Sequence, residues 1–154
     1  MIALDAGHVA AIRDHGRRAY PEECCGVLLG RDDREVPRVE VVREIPNVQE
    51  DQRRRRFLIA PADYLAAERQ ARGLGLSVLG FYHSHPDHPA QPSEHDRLQA
   101  WPHLHYLIVA VASGEPGELT SWTLTDDRAA MRPERIAVAA RPPASALAAA
   151  RLEE

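Results

Sequence analysis

Apolar residues at Leu4, Val9, Ala10, Ile12, Ala19 and Tyr20 leave a polar face of Asp14, His15, Arg17 and Arg18. That spacing predicts a helix over 4–20, with Asp5 as its N-cap and Pro21 as its stop. The run Glu22 to Gly30 is short, largely apolar and bounded by turn signals, so it reads as a buried strand. Gly30, Asp32 and Asp33 predict a hairpin turn into a second strand, Arg38 to Ile45, where Val39, Val41 and Val42 are β-branched. A polar connection follows, ending in Arg53-Arg54-Arg55-Arg56; Phe57-Leu58-Ile59 reads as a short strand. Pro61 and Asp63 open a helix to about Arg72, closed by Gly73 and Gly75. Leu76 to His83 is a strand, Ser93 to Gln99 is helical, and His105 to Ala112, apolar on both faces, is a central strand. Ser113 to Gly117 is a turn, Glu118 to Leu124 alternates as a strand, and Met131 to Val138 is a last one. The sum is a mixed α/β chain without internal repeats.

Length and composition narrow this picture. A chain of 154 residues fits one domain able to bury a core without disulfides. Residues 1–138 are read as that domain and 139–154, rich in Ala and Pro, as a flexible tail with a marginal helix. Hydrophobic residues at 44% and charged residues at 27% exclude a wholly disordered or collagen-like chain. A net charge of −4 gives no reason to expect nucleic acid as the main partner. The two cysteines, Cys24 and Cys25, are adjacent and cannot staple distant segments, which fits a reducing compartment. No apolar run reaches membrane-span length and the first residues lack a signal-peptide pattern, so the cytoplasm is expected.

Chemistry concentrates in Gly80 to Gln99, GFYHSHPDHPAQPSEHDRLQ. On a strand, residues two apart share a face, so His83 and His85 can reach one ion while Ser84 points away. Pro86, Pro89 and Pro92 stiffen the excursion that returns Asp96 to the histidines. Two histidines and an aspartate are groups zinc accepts at a catalytic site, where water takes the fourth position. Taken alone, Ser93-x-x-Asp96 is better explained as a capping box and a lone His-x-His as two half-exposed histidines. Their joint spacing is what favours metal. Hydrolysis also needs a group to move a proton, usually a carboxylate; Glu94, Asp87, Glu22 and Glu23 are candidates among which spacing does not choose.

His83-Ser84-His85-Pro86, the seven-residue gap, Ser93 and Asp96 resemble the signature of the JAMM (JAB/MPN/Mov34) metalloprotease family, prokaryotic free-standing type. Glu23-Cys24-Cys25-Gly26-Val27-Leu28 is similar to its upstream Glu-x-Cys-Gly segment. The resemblance implies a curved mixed β-sheet flanked by helices, in a JAB/MPN-like (cytidine-deaminase-like) architecture. It also implies zinc held by His83, His85 and Asp96, Glu23 as general base and then acid, and Ser93 as stabiliser of the oxyanion, a role that competes with capping. Relatives of this type trim the C-terminal tail of ubiquitin-like or sulfur-carrier proteins, which makes such a tail the implied partner.

Three functions are thus carried forward: a zinc peptidase or isopeptidase acting on such a tail, a catalytically silent metal-stabilised module that binds ubiquitin-like proteins, and a zinc hydrolase of another amide. Elsewhere, Cys24 and Cys25 read as core residues, since neighbours on a strand face opposite sides. His88 and His95 read as surface histidines that could line a groove or bind a second ion. His103 and His105 read as structural, and Trp101 and Trp122 as core or edge packing. The arginine run reads as a solvated loop, with a patch for an acidic protein partner as the sharper alternative.

Overall fold

A computed structural model describes residues 1–33 and 35–140. Its elements run β1 (Ile2–Asp5), α1 (Ala6–Ala19), β2 (Cys25–Arg31), β3 (Arg38–Ile45), α2 (Pro61–Gly73), β4 (Ser77–Pro86), α3 (Glu94–Gln99), β5 (His105–Ala112), β6 (Glu115–Leu124), β7 (Met131–Glu134) and β8 (Ile136–Ala139). The strands form one mixed sheet in the order β7-β6-β5-β4-β2-β3-β1-β8. β4 pairs parallel with β5, and β1 pairs parallel with both β3 and β8; the other neighbours are antiparallel.

The outermost strands, β7 and β8, are pieces of one segment separated by Arg135 alone. The sheet therefore curls until its two edges meet along that segment. Ile2 N–H donates to the Arg135 carbonyl at 3.0 Å and the N-terminal ammonium reaches Glu134 at 3.1 Å, which ties the junction to the start of the chain.

Helices cover both faces, which explains the nearly continuous apolar runs of the inner strands. α1 buries Val9 and Ile12 against Ile2, Leu4, Leu28, Tyr82, Leu107, Val109 and Val111. α2 buries Ala67 and Ala71 against Cys25, Val27, Leu29 and Ile45 on the opposite face. Each fully buried aliphatic side chain contributes about 1.5–3 kcal/mol. Cys24 and Cys25 are both free and buried, one in each core. Close strand approach demands glycine at three positions: a Cβ on Gly80 would lie 1.8 Å from the His105 carbonyl oxygen, one on Gly30 1.9 Å from the Arg38 carbonyl oxygen, and one on Gly26 2.0 Å from the Tyr82 ring.

The expected curved mixed sheet with flanking helices is observed, and several boundaries differ. The chain before Ala6 is strand β1, not helix; Asp5 still caps α1, its carboxylate accepting from His8 N–H at 2.7 Å. Among the described residues Phe57–Ile59 joins no sheet, and its one backbone bond runs from Val48 N–H to the Leu58 carbonyl, at 2.9 Å. β6 starts at Glu115 because the turn needs only Ser113 and Gly114, both at positive φ. The expected strand 131–138 is two strands, since the closing sheet takes one half on each edge. Ala139, where the tail was expected to begin, ends β8 opposite Asp5, and 141–154 lie outside the described residues. Among the described residues no helix is long and apolar enough to cross a membrane.

Candidate active site

β4 continues past His83 through Pro86, so both histidines project from one strand. Tyr82 and Ser84 face α1, Tyr82 in the core around that helix and the Ser84 Cβ beside Gly16. His83 and His85 alternate onto the other face. α3 begins directly after Ser93 and brings Asp96, in its first turn, back beside them. The three expected ligand residues converge. His83 Nε2 lies 3.1 Å from His85 Nε2 and 3.2 Å from Asp96 Oδ2, and His85 Nε2 lies 3.1 Å from the same oxygen. Tetrahedral coordination with metal bonds of about 2.0–2.1 Å spaces its ligands by about 3.3 Å, close to these separations.

The histidines are held differently. Pro89 offers His85 Nδ1 a carbonyl oxygen at 2.7 Å, which can only accept. Nδ1 therefore carries the proton and Nε2 presents its lone pair to the cluster, a common arrangement for a metal-ligating histidine. His83 Nδ1 is buried without a hydrogen-bond partner; its ring stacks on Phe57 with centroids 4.7 Å apart and planes at 29°. Burial opposes ionisation of Asp96, yet the two imidazoles and the Ser93 amide outweigh it and hold its carboxyl well below the usual carboxylate range.

The β2–β4 register brings in the fourth group. Cys25 opposes His83, and two further steps bring Glu23 opposite His85 on the same face. Ser84 locks this register from behind: its hydroxyl accepts from Cys24 N–H at 2.8 Å and its own N–H donates to the Cys24 carbonyl at 3.2 Å. Of the two candidate glutamates upstream of β2, Glu22 is exposed, whereas Glu23 is only 2% exposed. Neither carboxylate oxygen of Glu23 has a partner among the described residues. Burial, and then the neighbouring Asp96 charge, push its acid up to about 9. A buried carboxyl with empty oxygens facing two imidazoles and an aspartate suits a site built for a cation and its water. The donor set fits a divalent metal.

Glu94 pairs with Arg97 at the exposed surface. Asp87 accepts from Ser113 N–H and the Tyr20 hydroxyl at 2.7 Å each, outside the cluster. Ser93 and Asp96 form the full capping box: Ser93 Oγ accepts from Asp96 N–H at 3.0 Å and Asp96 Oδ2 accepts from Ser93 N–H at 2.9 Å. Capping uses an acceptor site of the hydroxyl and leaves its O–H free to donate, so cap and donor roles are compatible. His88, expected at the surface, is half-buried and stacks on His85 at 4.0 Å, within reach of Glu23 and His85 as a second ligand-like group. His95 is also half-buried and lines an apolar cavity beside Asp96 with Phe57, Leu58, Tyr106 and Met131. Trp101 is on that rim and 63% exposed, so it is not core packing. His105 is tied to Glu134 at 2.5 Å, in keeping with a structural role.

Sequence reasoning did not find Phe57, the Pro89 carbonyl, or Asn47, which fastens the arginine loop beside Glu23. The aromatic residue directly after the charge run was the available signal for Phe57.

The chain is similar to several known proteins. Residues 5–125 match the family model described as prokaryotic homologs of the JAB domain. The chain is 27% identical over 137 residues to the CysO-cysteine peptidase of Mycobacterium tuberculosis, covering 88% of this chain and 91% of that protein. It is 32% identical over 131 residues to the desampylase of Haloferax volcanii, covering 82% and 89%. A solution structure from Desulfitobacterium hafniense superposes with a TM-score of 0.80 at 34% identity over 92% of this chain and 94% of that one. A JAB1/MPN domain protein of Archaeoglobus fulgidus shares the fold, with a TM-score of 0.57 at 19% identity over 90% and 98%. With a family match over most of its length and a strand-borne histidine pair, a helix-borne aspartate and a buried glutamate, this chain belongs to the prokaryotic JAB (JAMM) family.

Proposed function

We propose that this chain is a zinc-dependent peptidase that hydrolyses a peptide or isopeptide bond at the C-terminal tail of a ubiquitin-like or sulfur-carrier protein. The observation that carries the reading is the buried, unpartnered Glu23 carboxylate beside the three converging donors of His83, His85 and Asp96. Relatives named as a CysO-cysteine peptidase and a desampylase support the substrate class.

In this reading His83, His85 and Asp96 hold zinc, consistent with the proton on His85 Nδ1 and the ionised Asp96. When bound, zinc supplies Lewis acidity, drawing electron density from water and from the scissile carbonyl. Glu23 takes a proton from the attacking water and returns it to the leaving amine, a role open to a buried carboxylate whose two oxygens have no other partner among the described residues. The Ser93 O–H, which capping does not use, donates to the developing oxyanion. The apolar cavity beside Asp96 suits the side chains of an extended tail, and the exposed Trp101 stands at its rim. The two buried free thiols support a reducing, cytoplasmic setting.

The test incubates zinc-loaded protein with a sulfur-carrier protein extended at its C-terminus by a short peptide, beside a panel of small amides, and reads product masses. Release of the extension supports the reading. Binding of the carrier without cleavage over a long incubation would replace it with a recognition module, and turnover confined to small amides with another hydrolase.

A further inference from the structure

Among the described residues none offers the Glu23 carboxylate a hydrogen bond. Its placement therefore depends on its backbone, and the loop that follows β3 grips that backbone at both polar groups. Glu23 N–H donates to the Arg53 carbonyl at 2.7 Å, and the Glu23 carbonyl accepts from Asn47 Nδ2 at 3.1 Å. The same Asn47 amide donates to the Arg56 carbonyl at 3.2 Å, while Asn47 Oδ1 accepts from Gln49 N–H at 3.1 Å and Leu58 N–H at 3.0 Å. With two donors and two acceptors an asparagine side chain can meet four partners in this way, and all four are backbone groups.

Two of them, the Arg56 carbonyl and the Leu58 N–H, bracket Phe57, whose ring stacks on His83. That stack matters because His83 Nδ1 lacks the hydrogen bond that orients His85. Outer contacts of this kind ordinarily fix a ligand histidine and cost roughly 10–100-fold in affinity or activity when removed. We infer that Asn47 is a positioning residue that sets two parts of the site at once, the Glu23 backbone directly and the His83 ring through Phe57. The arginine loop thus serves the site through its main chain, while its four arginines stay exposed.

The inference rests on the proposed metallopeptidase reading, and the experiment separates the two. Zinc affinity is measured by competition with a chromophoric chelator, and kcat and KM on the extended carrier protein at saturating zinc, for wild type, Asn47→Ala, Asn47→Asp and Phe57→Leu. Asn47→Asp loses the donors to both Glu23 and Arg56 but keeps the acceptors for Gln49 and Leu58, so Leu58 still fastens the chain at Phe57 while nothing holds the Glu23 carbonyl. It is expected to lower kcat roughly 10–100-fold with KM little changed and zinc affinity within about threefold of wild type. Phe57→Leu is expected to do the reverse, weakening zinc roughly tenfold while keeping most of kcat. Asn47→Ala is expected to lose both; should it fail to fold, the other two variants still decide. Parallel losses of kcat and zinc affinity in Asn47→Asp and Phe57→Leu, or no loss in either, overturn the inference. If wild type leaves the carrier intact, the function fails, and unchanged zinc affinity in Phe57→Leu and Asn47→Ala would still refute the positioning role.

Discussion

Ser84 accepts the Cys24 amide at 2.8 Å on the buried side of the β2–β4 pairing, and this bond sets Glu23 opposite His85. The sheet itself thereby joins two parts of the site that are distant in the chain. Ser84→Ala leaves the Cys24 N–H buried without a partner, a cost of about 1–3 kcal/mol. Chemical denaturation is expected to show that loss; an unchanged midpoint would mean the bond does not hold the register.

Ser93 separates cap from chemistry. Relative to serine, an N-cap glycine costs only a few tenths of a kcal/mol, yet it has no O–H. Ser93→Gly is therefore expected to keep thermal stability close to wild type while kcat falls by about 10²–10³, and Ser93→Thr to keep both. Full activity in Ser93→Gly would remove Ser93 from the mechanism.

The metal-free protein is expected to grow less stable as pH rises. Burial, then Asp96, raise the folded Glu23 acid to about 9 from an ordinary 4.5, so the folded state binds its proton more tightly than the unfolded state. Stability from that proton is complete below the unfolded value and is lost as pH climbs through 4.5 toward 9. Denaturation midpoints of metal-free wild type should fall across that window, and Glu23→Gln should flatten the decline, so that the variant gains on wild type as pH rises toward 8. Parallel curves for the two proteins would contradict the raised acid. Zinc should reverse the ordering for wild type, because a cation beside the carboxylate stabilises its charge.

At acid pH the junction of β7 and β8 is expected to weaken first. Burial opposes the Glu134 charge, but hydrogen bonds from His105 and Ser121 prevail and hold the acid at about 2. A depressed folded value gives stability that is full above the ordinary 4.5 and lost as pH falls from there toward 2. Amide protection at Ile2, Met131, Arg132 and Glu134, taken relative to the intrinsic exchange rate, should fall in that window, and in Glu134→Gln it should already be low at neutral pH.

The sequence carried the site better than its surroundings. Period-two spacing of His83 and His85 on a strongly apolar strand, with Ser93 and Asp96 at a helix start, is a local pattern, and local patterns survive folding. Glu22 and Glu23 could not be told apart by spacing because they differ in burial, which tertiary packing decides. Trp101 read as packing because composition does not distinguish a core from the rim of an apolar cleft. Met131–Val138 read as one strand because a break at Arg135 is imposed by sheet closure, and Asn47 was silent because its partners are main-chain groups that no side-chain pattern reports.

The most direct measurement is zinc content and turnover of Glu23→Gln side by side with wild type on the extended carrier protein. One zinc per chain in both, with kcat in the variant lower by at least about 10³, is the result expected from the proposed roles, in which His83, His85 and Asp96 hold the metal and Glu23 moves the proton. Wild-type turnover in a zinc-loaded Glu23→Gln protein would contradict it.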